Sequence, residues 1–176
     1  IILPLNGGKA GTAGYGNKLR RDSADWYKIT TNADGLLRFT FTASKTSVNL
    51  TLFDNNGTKQ IAQSLNSTNG TFNNDGLAAG TYFVRIKCYN VSVYSPYTLN
   101  DTLIKPVQQH DSEPNNQQSQ AINLPLNKTK EGHVGYYYNL KRDSADWYKI
   151  TTNADGLLRF IFKAPTTSTN ITLYDK

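Results

Sequence analysis

Asp111, Glu113, Asn115 and Asn116 fall within the six-residue run DSEPNN, and Asp143 and Asp146 follow about thirty residues later in DSAD. Together they offer carboxylate and amide oxygens from two short segments. Hard cations such as Ca2+ take roughly six to eight oxygens from carboxylates, amide and backbone carbonyls and water. The first segment supplies closely spaced ligands from extended chain. The second supplies two more from a corner at the mouth of a strand. The spacing is not that of an EF-hand loop. Asp, Asn, Ser and Pro also mark linkers, and DSAD also suits a turn cap; spacing alone leaves both readings open.

Other chemistry has less support. His110 and His133 stand far from any G-x-S-x-G or H-E-x-x-H pattern, neither of which occurs. The reading is therefore not an enzyme. Trp26, Trp147 and the run Tyr136-Tyr137-Tyr138 are weak candidates for a ligand site, since flat exposed rings serve sugar or collagen surfaces. Tyr and Trp also sit at sheet edges for packing alone. Cys88 is the only cysteine, so no intrachain disulfide can form. Its phase in an alternating strand points it inward as a small apolar group.

These residues belong to a repeat. The nineteen letters RDSADWYKITTNADGLLRF at 21–39 return unchanged at 142–160, a shift of 121. Over 1–55 and 122–176, 37 of 55 pairs are identical. A period near the usual domain size, far above the roughly 20–50 residues of solenoid repeats, predicts beads on a string. The expected units are 1–105, a linker with the acidic lead-in at 106–116, and the front half of a second unit at 117–176. The sequence reads as a window on a longer protein. The first unit has the corner, Asp22 and Asp25, without an acidic lead-in before it, so its site is incomplete. The two units also differ at Tyr15-Gly16-Asn17, where the second has the three tyrosines, and at Thr12, where it has His133.

The net charge is +6 and the sequence pI about 9.3, with Lys and Arg spread over both units. No basic helix or nucleic-acid module is visible. No apolar run approaches membrane-spanning length. Eight N-x-S/T triplets, Asn66 among them, and the absence of Met suit an extracellular chain.

Period-two alternation runs through Trp26–Thr30, Leu37–Phe41, Val48–Leu52 and Thr81–Tyr89. Asn32–Gly35 reads as a hairpin turn and Asp54–Gly57 as a turn. Asn66–Thr71 and Asn73–Gly76 read as polar turns, Gly7–Gly16 as patternless, and Asp101–Gln109 as a connection. Pro96 suggests an edge strand or a bulge at Tyr94–Leu99. Gln117–Ile122 can make one helical turn. Short alternating strands with frequent turns predict an all-β antiparallel sandwich.

The order D-x-E-P-N-N, A-I-N-L, D-S-A-D-W-Y, G-L-L-R-F, N-x-T-L-Y-D and, from the first unit, L-A-A-G-T-Y-F-V-R-I resembles the bacterial pre-peptidase C-terminal domain family. That family includes the collagen-binding domains of clostridial collagenases. The resemblance implies a jelly-roll-like sandwich for the whole 121-residue unit. It also implies calcium held by Asp111, Glu113, Asn115, Asn116, Asp143 and Asp146. The resulting expectation is an extracellular, cell-surface repeat module: a stalk, adhesin or filament unit with a calcium-stiffened linker. Its partners would be neighbouring repeats or copies of itself, by strand exchange if the half unit needs it. The alternative is a collagen- or polysaccharide-binding module attached to a secreted hydrolase. Neither reading includes nucleic acid or a membrane span.

Overall fold

A computed structural model of the chain describes residues 1–14, 16–17, 20–64, 67–106, 111–138, 141–164 and 168–175. Tyr15, Asn66 and His110 lie outside the described residues. In the first unit the strands are β1 (Gly8–Ala13), β2 (Gly16–Asn17), β3 (Arg20–Arg21), β4 (Ala24–Thr31), β5 (Gly35–Ala43), β6 (Val48–Phe53), β7 (Gln60–Gln63), β8 (Asn69–Leu77), β9 (Gly80–Cys88) and β10 (Ser95–Ile104). A 3-10 turn at Gln118–Gln120 leads to four two-residue strands: β11 (Ile122–Asn123), β12 (Tyr137–Tyr138), β13 (Lys141–Arg142) and β14 (Tyr148–Lys149).

The first unit is an antiparallel sandwich. One sheet has the order β1-β10-β5-β8 and is continued by β12 and β13; the other has the order β4-β9-β6-β7. The alternation read from the sequence sets the inner faces. Tyr27 and Ile29 of β4, Leu37, Phe39 and Phe41 of β5, Leu50 and Leu52 of β6, Val84 and Ile86 of β9 and Leu99 of β10 share one buried cluster. Fully burying one such side chain contributes about 1.5–3 kcal/mol. Cys88 lies in the same cluster, and its thiol donates to the Asn90 carbonyl at 3.1 Å. Burial raises its pKa, which keeps it an unreactive thiol.

Five local expectations are corrected. Asn32–Gly35 does not close a hairpin, because β4 and β5 lie in opposite sheets and the turn carries the chain across the sandwich. The polar stretch after Asn69 is the nine-residue strand β8, held by its register against β5. Gly8–Ala13 is the edge strand β1, and β10 runs on to Ile104 where a connection was expected. Pro96 sits near the start of β10, which is internal between β1 and β5. In β1, β8 and the end of β10, long-range pairing overrides a local pattern poor in β-formers.

Several backbone contacts of the opening of the chain recur at the sequence offset of 121. Leu124 N–H donates to the Lys149 carbonyl as Leu3 N–H does to that of Lys28, both at 2.9 Å. Gly135 N–H meets the Asp143 carbonyl as Gly14 N–H meets that of Asp22. The hairpin β12–β13 has the register of β2–β3. Trp147 stacks on Tyr174 with centroids 5.0 Å apart, as Trp26 packs on Phe53 at 4.9 Å. Further on the two units diverge. Ile171 and Leu173 are 51% and 67% exposed, whereas their counterparts Leu50 and Leu52 are at 0%. Phe160 and Phe162 are likewise exposed, where Phe39 and Phe41 are buried.

Candidate metal centre

The acidic lead-in and the DSAD corner meet in space. One carboxylate oxygen each from Asp111, Glu113 and Asp146 lie within 4.8 Å of one another. Backbone pairing sets this up. Trp147 N–H donates to the Asn115 carbonyl at 2.9 Å, and Ser144 N–H donates to Asn116 Oδ1 at 3.3 Å. The corner is thereby clamped against the lead-in across about thirty residues of sequence. The Glu113–Pro114 peptide within the lead-in is cis.

Within the cluster, Asn115 Nδ2 donates to Asp111 Oδ2 at 2.9 Å, and Asn115 N–H donates to Glu113 Oε2 at 3.1 Å. Asn116 Nδ2 donates to the same Glu113 oxygen at 3.3 Å. The Tyr148 hydroxyl donates to Asp111 Oδ2. Asn115 Oδ1, Asp146 Oδ1 and both carboxylate oxygens of Asp143 are buried and accept no well-formed hydrogen bond. Asn115 and Asp143 are buried residues, and Asp146 is half-buried. Buried polar oxygens without partners are unusual in a folded protein and call for an explanation such as an ion.

The electrostatics agree. Burial, followed by the charges of Asp111, Asp143 and Glu113, pushes the Asp146 carboxyl up to about 7. Burial and the Glu113 charge push Asp143 up to about 6, with the nearby Ala145 N–H offsetting part of the rise. Carboxylates held this close disfavour one another's ionisation unless a positive charge is shared among them. An all-oxygen donor set with unsatisfied acceptors fits a hard cation. Gly132 lines the same space: a Cβ there would lie 2.5 Å from the Tyr148 hydroxyl and 2.9 Å from Asp146 Oδ2.

The sequence-predicted residues take different places. Asp111, Glu113 and Asp146 form the tight group, with Asn115 beside them. Asp143 stands next to it and is felt through its charge. Asn116 directs its oxygen to the corner backbone. Tyr148 and Gly132 were not singled out from the sequence, although both recur at the repeat offset as Tyr27 and Gly11.

In the first unit the corresponding corner is closed by a side chain. Asp22 is exposed, and Asp25 accepts a hydrogen bond from the Tyr97 hydroxyl. Tyr97 also shares a 2.6 Å hydrogen bond with Tyr27. A Cβ on Gly11 would run into the Tyr97 hydroxyl, and one on Gly132 would come within 3.2 Å of Asp111 Oδ2. The tyrosine hydroxyl of β10 therefore stands where the second unit has a carboxylate of the lead-in. Tyr97→Phe leaves the half-buried Asp25 carboxyl and the Tyr27 hydroxyl without this partner, and the expected loss is about 1–3 kcal/mol in urea unfolding. An unchanged midpoint would refute the role given to Tyr97.

The aromatic candidates all make ring or core contacts, and Trp26 remains 40% exposed. Trp26 lies against Phe53 with the Arg85 guanidinium 5.5 Å from its ring. Trp147 stacks on Tyr174, and Tyr136 and Tyr137 are buried. Tyr138 is half-buried, its ring 6.1 Å from that of Tyr136.

No family profile matches the sequence, and a comparison with curated proteins finds no match. Among solved structures the chain is similar to the pre-peptidase C-terminal domain of a collagenase from Bacillus anthracis, with a TM-score of 0.45 and 16% identity over 57% of this chain and 91% of that one. This is the family whose motif order the sequence resembles. The chain is also similar to a mitogen from Yersinia pseudotuberculosis (TM-score 0.42, 17% identity, 60% of this chain and 90% of that one). A third similar structure is a periplasmic inhibitor of g-type lysozyme from Aeromonas hydrophila (TM-score 0.38, 13% identity, 57% and 95%). No helix among the described residues is long and apolar enough to cross a membrane.

Proposed function

We propose that this chain is a non-catalytic repeat module of an extracellular protein, in which Ca2+ fastens the linker at 106–116 to the unit at 117–176. The observation that carries this reading is the group of three carboxylate oxygens within 4.8 Å, bordered by buried acceptors on Asn115, Asp143 and Asp146. Asp111, Glu113, Asn115 and Asp146 are the proposed ligands, with Asp143 completing the charge. The cation supplies the positive charge that lets these carboxylates stay ionised together. The chain's part is to bring lead-in and corner into register through the Trp147–Asn115 and Ser144–Asn116 bonds. An ion bound by the ordered linker and not by the disordered one stabilises the ordered state by mass action. A stalk, adhesin or filament built of such units gains a stiffer joint.

The exposed apolar positions of the second unit suit completion by strands of the β8–β10 type, from a neighbouring repeat or a second copy. Isothermal titration of the chain with Ca2+ after chelator treatment tests the metal reading. Saturable binding near one equivalent is expected, and no heat at millimolar Ca2+ would overturn it.

A further inference from the structure

The second unit reaches into the first, and metal binding does not require this. Tyr137 is buried and belongs to the hydrophobic cluster of the first sandwich. Its backbone pairs in parallel with Leu77 of β8, and its carbonyl accepts the Ala78 N–H at 3.0 Å. Lys59 Nζ lies 5.7 Å from the centre of its ring. Tyr136 is also buried and crosses Gly76 so closely that a Cβ there would sit 2.5 Å from its Cα. Gly76 has a φ of 61°, so the seat is shaped by backbone that other residues adopt only with strain.

The insert is braced from its own side. Asp143 N–H donates to the Tyr136 carbonyl at 2.8 Å, and Arg142 Nη1 donates to the Gly135 carbonyl at 2.8 Å. The first unit builds the same hairpin with β2 and β3 but has Gly16 where the second has Tyr137. It keeps the backbone shape and lacks the ring.

We propose that β12 and β13, with Tyr136 and Tyr137, form a docking peg that joins a unit to the sandwich preceding it, and that the edge of β8 around Gly76–Ala78 is the socket. The partner is the neighbouring repeat. The peg covers an edge whose unpaired backbone would otherwise invite pairing with other chains. It also fixes the relation of one unit to the next, because a strand added to a sheet leaves little rotational freedom. The contact is directional: a hairpin with Gly16 in place of Tyr137 has nothing to place in the socket, so only a tyrosine-bearing unit docks this way.

The test is amide hydrogen exchange on the whole chain in Tyr137→Gly, which installs the first unit's residue. Protection at Ala78 is expected to fall about tenfold or more through local opening, while the amides of Val84 and Ile86 in β9 keep theirs. Unchanged protection at Ala78 would overturn the peg. Joint loss at Ala78 and β9 would also overturn it, because Tyr137 would then be a core residue of the first fold rather than a separable insert. Tyr137→Phe keeps the ring and removes a buried hydroxyl that has no hydrogen-bond partner. It should retain protection at Ala78; a loss as large as that of Tyr137→Gly would reject the ring as the anchor.

Discussion

Asp146→Ala is expected to lower calcium affinity about a hundredfold or more, since even residues that merely orient ligands are worth roughly 10–100-fold. Asp146 contributes one of three mutually close carboxylate oxygens, and its Oδ1 is buried without a hydrogen-bond partner. Each tenfold loss corresponds to about 1.4 kcal/mol. At a concentration of about 100 times the dissociation constant, calcium adds roughly 2.7 kcal/mol to the wild-type folded state. That increment should disappear from the melting curve of the variant. Without calcium the sign reverses. Burial and the neighbouring charges of Asp111, Asp143 and Glu113 oppose ionisation of Asp146, so removing its carboxylate relieves the site. The variant should therefore melt higher than wild type in chelator and lower in calcium. Two curves that do not cross would argue against a cation at this cluster. Asp143→Asn is the milder companion, because the backbone bonds of residue 143 to Gly135 and Tyr136 survive.

How much of this was legible in the sequence depended on the range of the interaction. Strands whose inner face is apolar at every second position, such as β4, β5, β6 and β9, were plain from alternation alone. β8 was not. In NGTFNNDGL the buried apolar residues Phe72 and Leu77 stand five apart, and the polar residues look like turns until β5 is placed beside them. The same strand carries the socket, so missing it also hid the joint between the units. The candidate metal ligands were visible because carboxylates cluster in DSEPNN and DSAD. Their ranking was not, because it depends on which oxygen the corner backbone takes, and Ser144 N–H takes that of Asn116. Tyr97 illustrates the remaining gap. It reads as one more aromatic near a strand end, and its role emerges only when β10 brings its hydroxyl to Asp25. The three tyrosines looked like a ligand surface. Their burial was not legible: Tyr136 and Tyr137 are both buried, and Tyr137 belongs to the cluster of the first sandwich.

The calcium effect should grow with pH between about 4 and 7. Burial is the first cause of the raised carboxyls, which lie at about 7 for Asp146 and about 6 for Asp143. In the unfolded chain both return to the ordinary value near 3.8. Between these values the calcium-free folded state binds protons that the unfolded state does not. Stability then falls as pH rises, since its slope follows the protons bound unfolded minus those bound folded. The calcium-free protein is thus relatively most stable below about pH 4 in respect of these two groups, and loses that contribution by about pH 7. Calcium requires the same carboxylates ionised, so it displaces the protons and its affinity rises through the same window. Melting temperatures in chelator and in excess calcium should nearly coincide at pH 4.5 and separate steadily towards pH 7.5. Calcium titrations at pH 6 in buffers of different ionisation enthalpy should register proton release. A gap that stays constant from pH 5 to 8, with no proton release, would mean that the ion is held by groups other than Asp143 and Asp146. The direction of the chelator curve separates this site from an ordinary surface cluster. Exposed aspartates near their usual pKa change stability below about pH 5, whereas these two act up to neutrality because they are buried together.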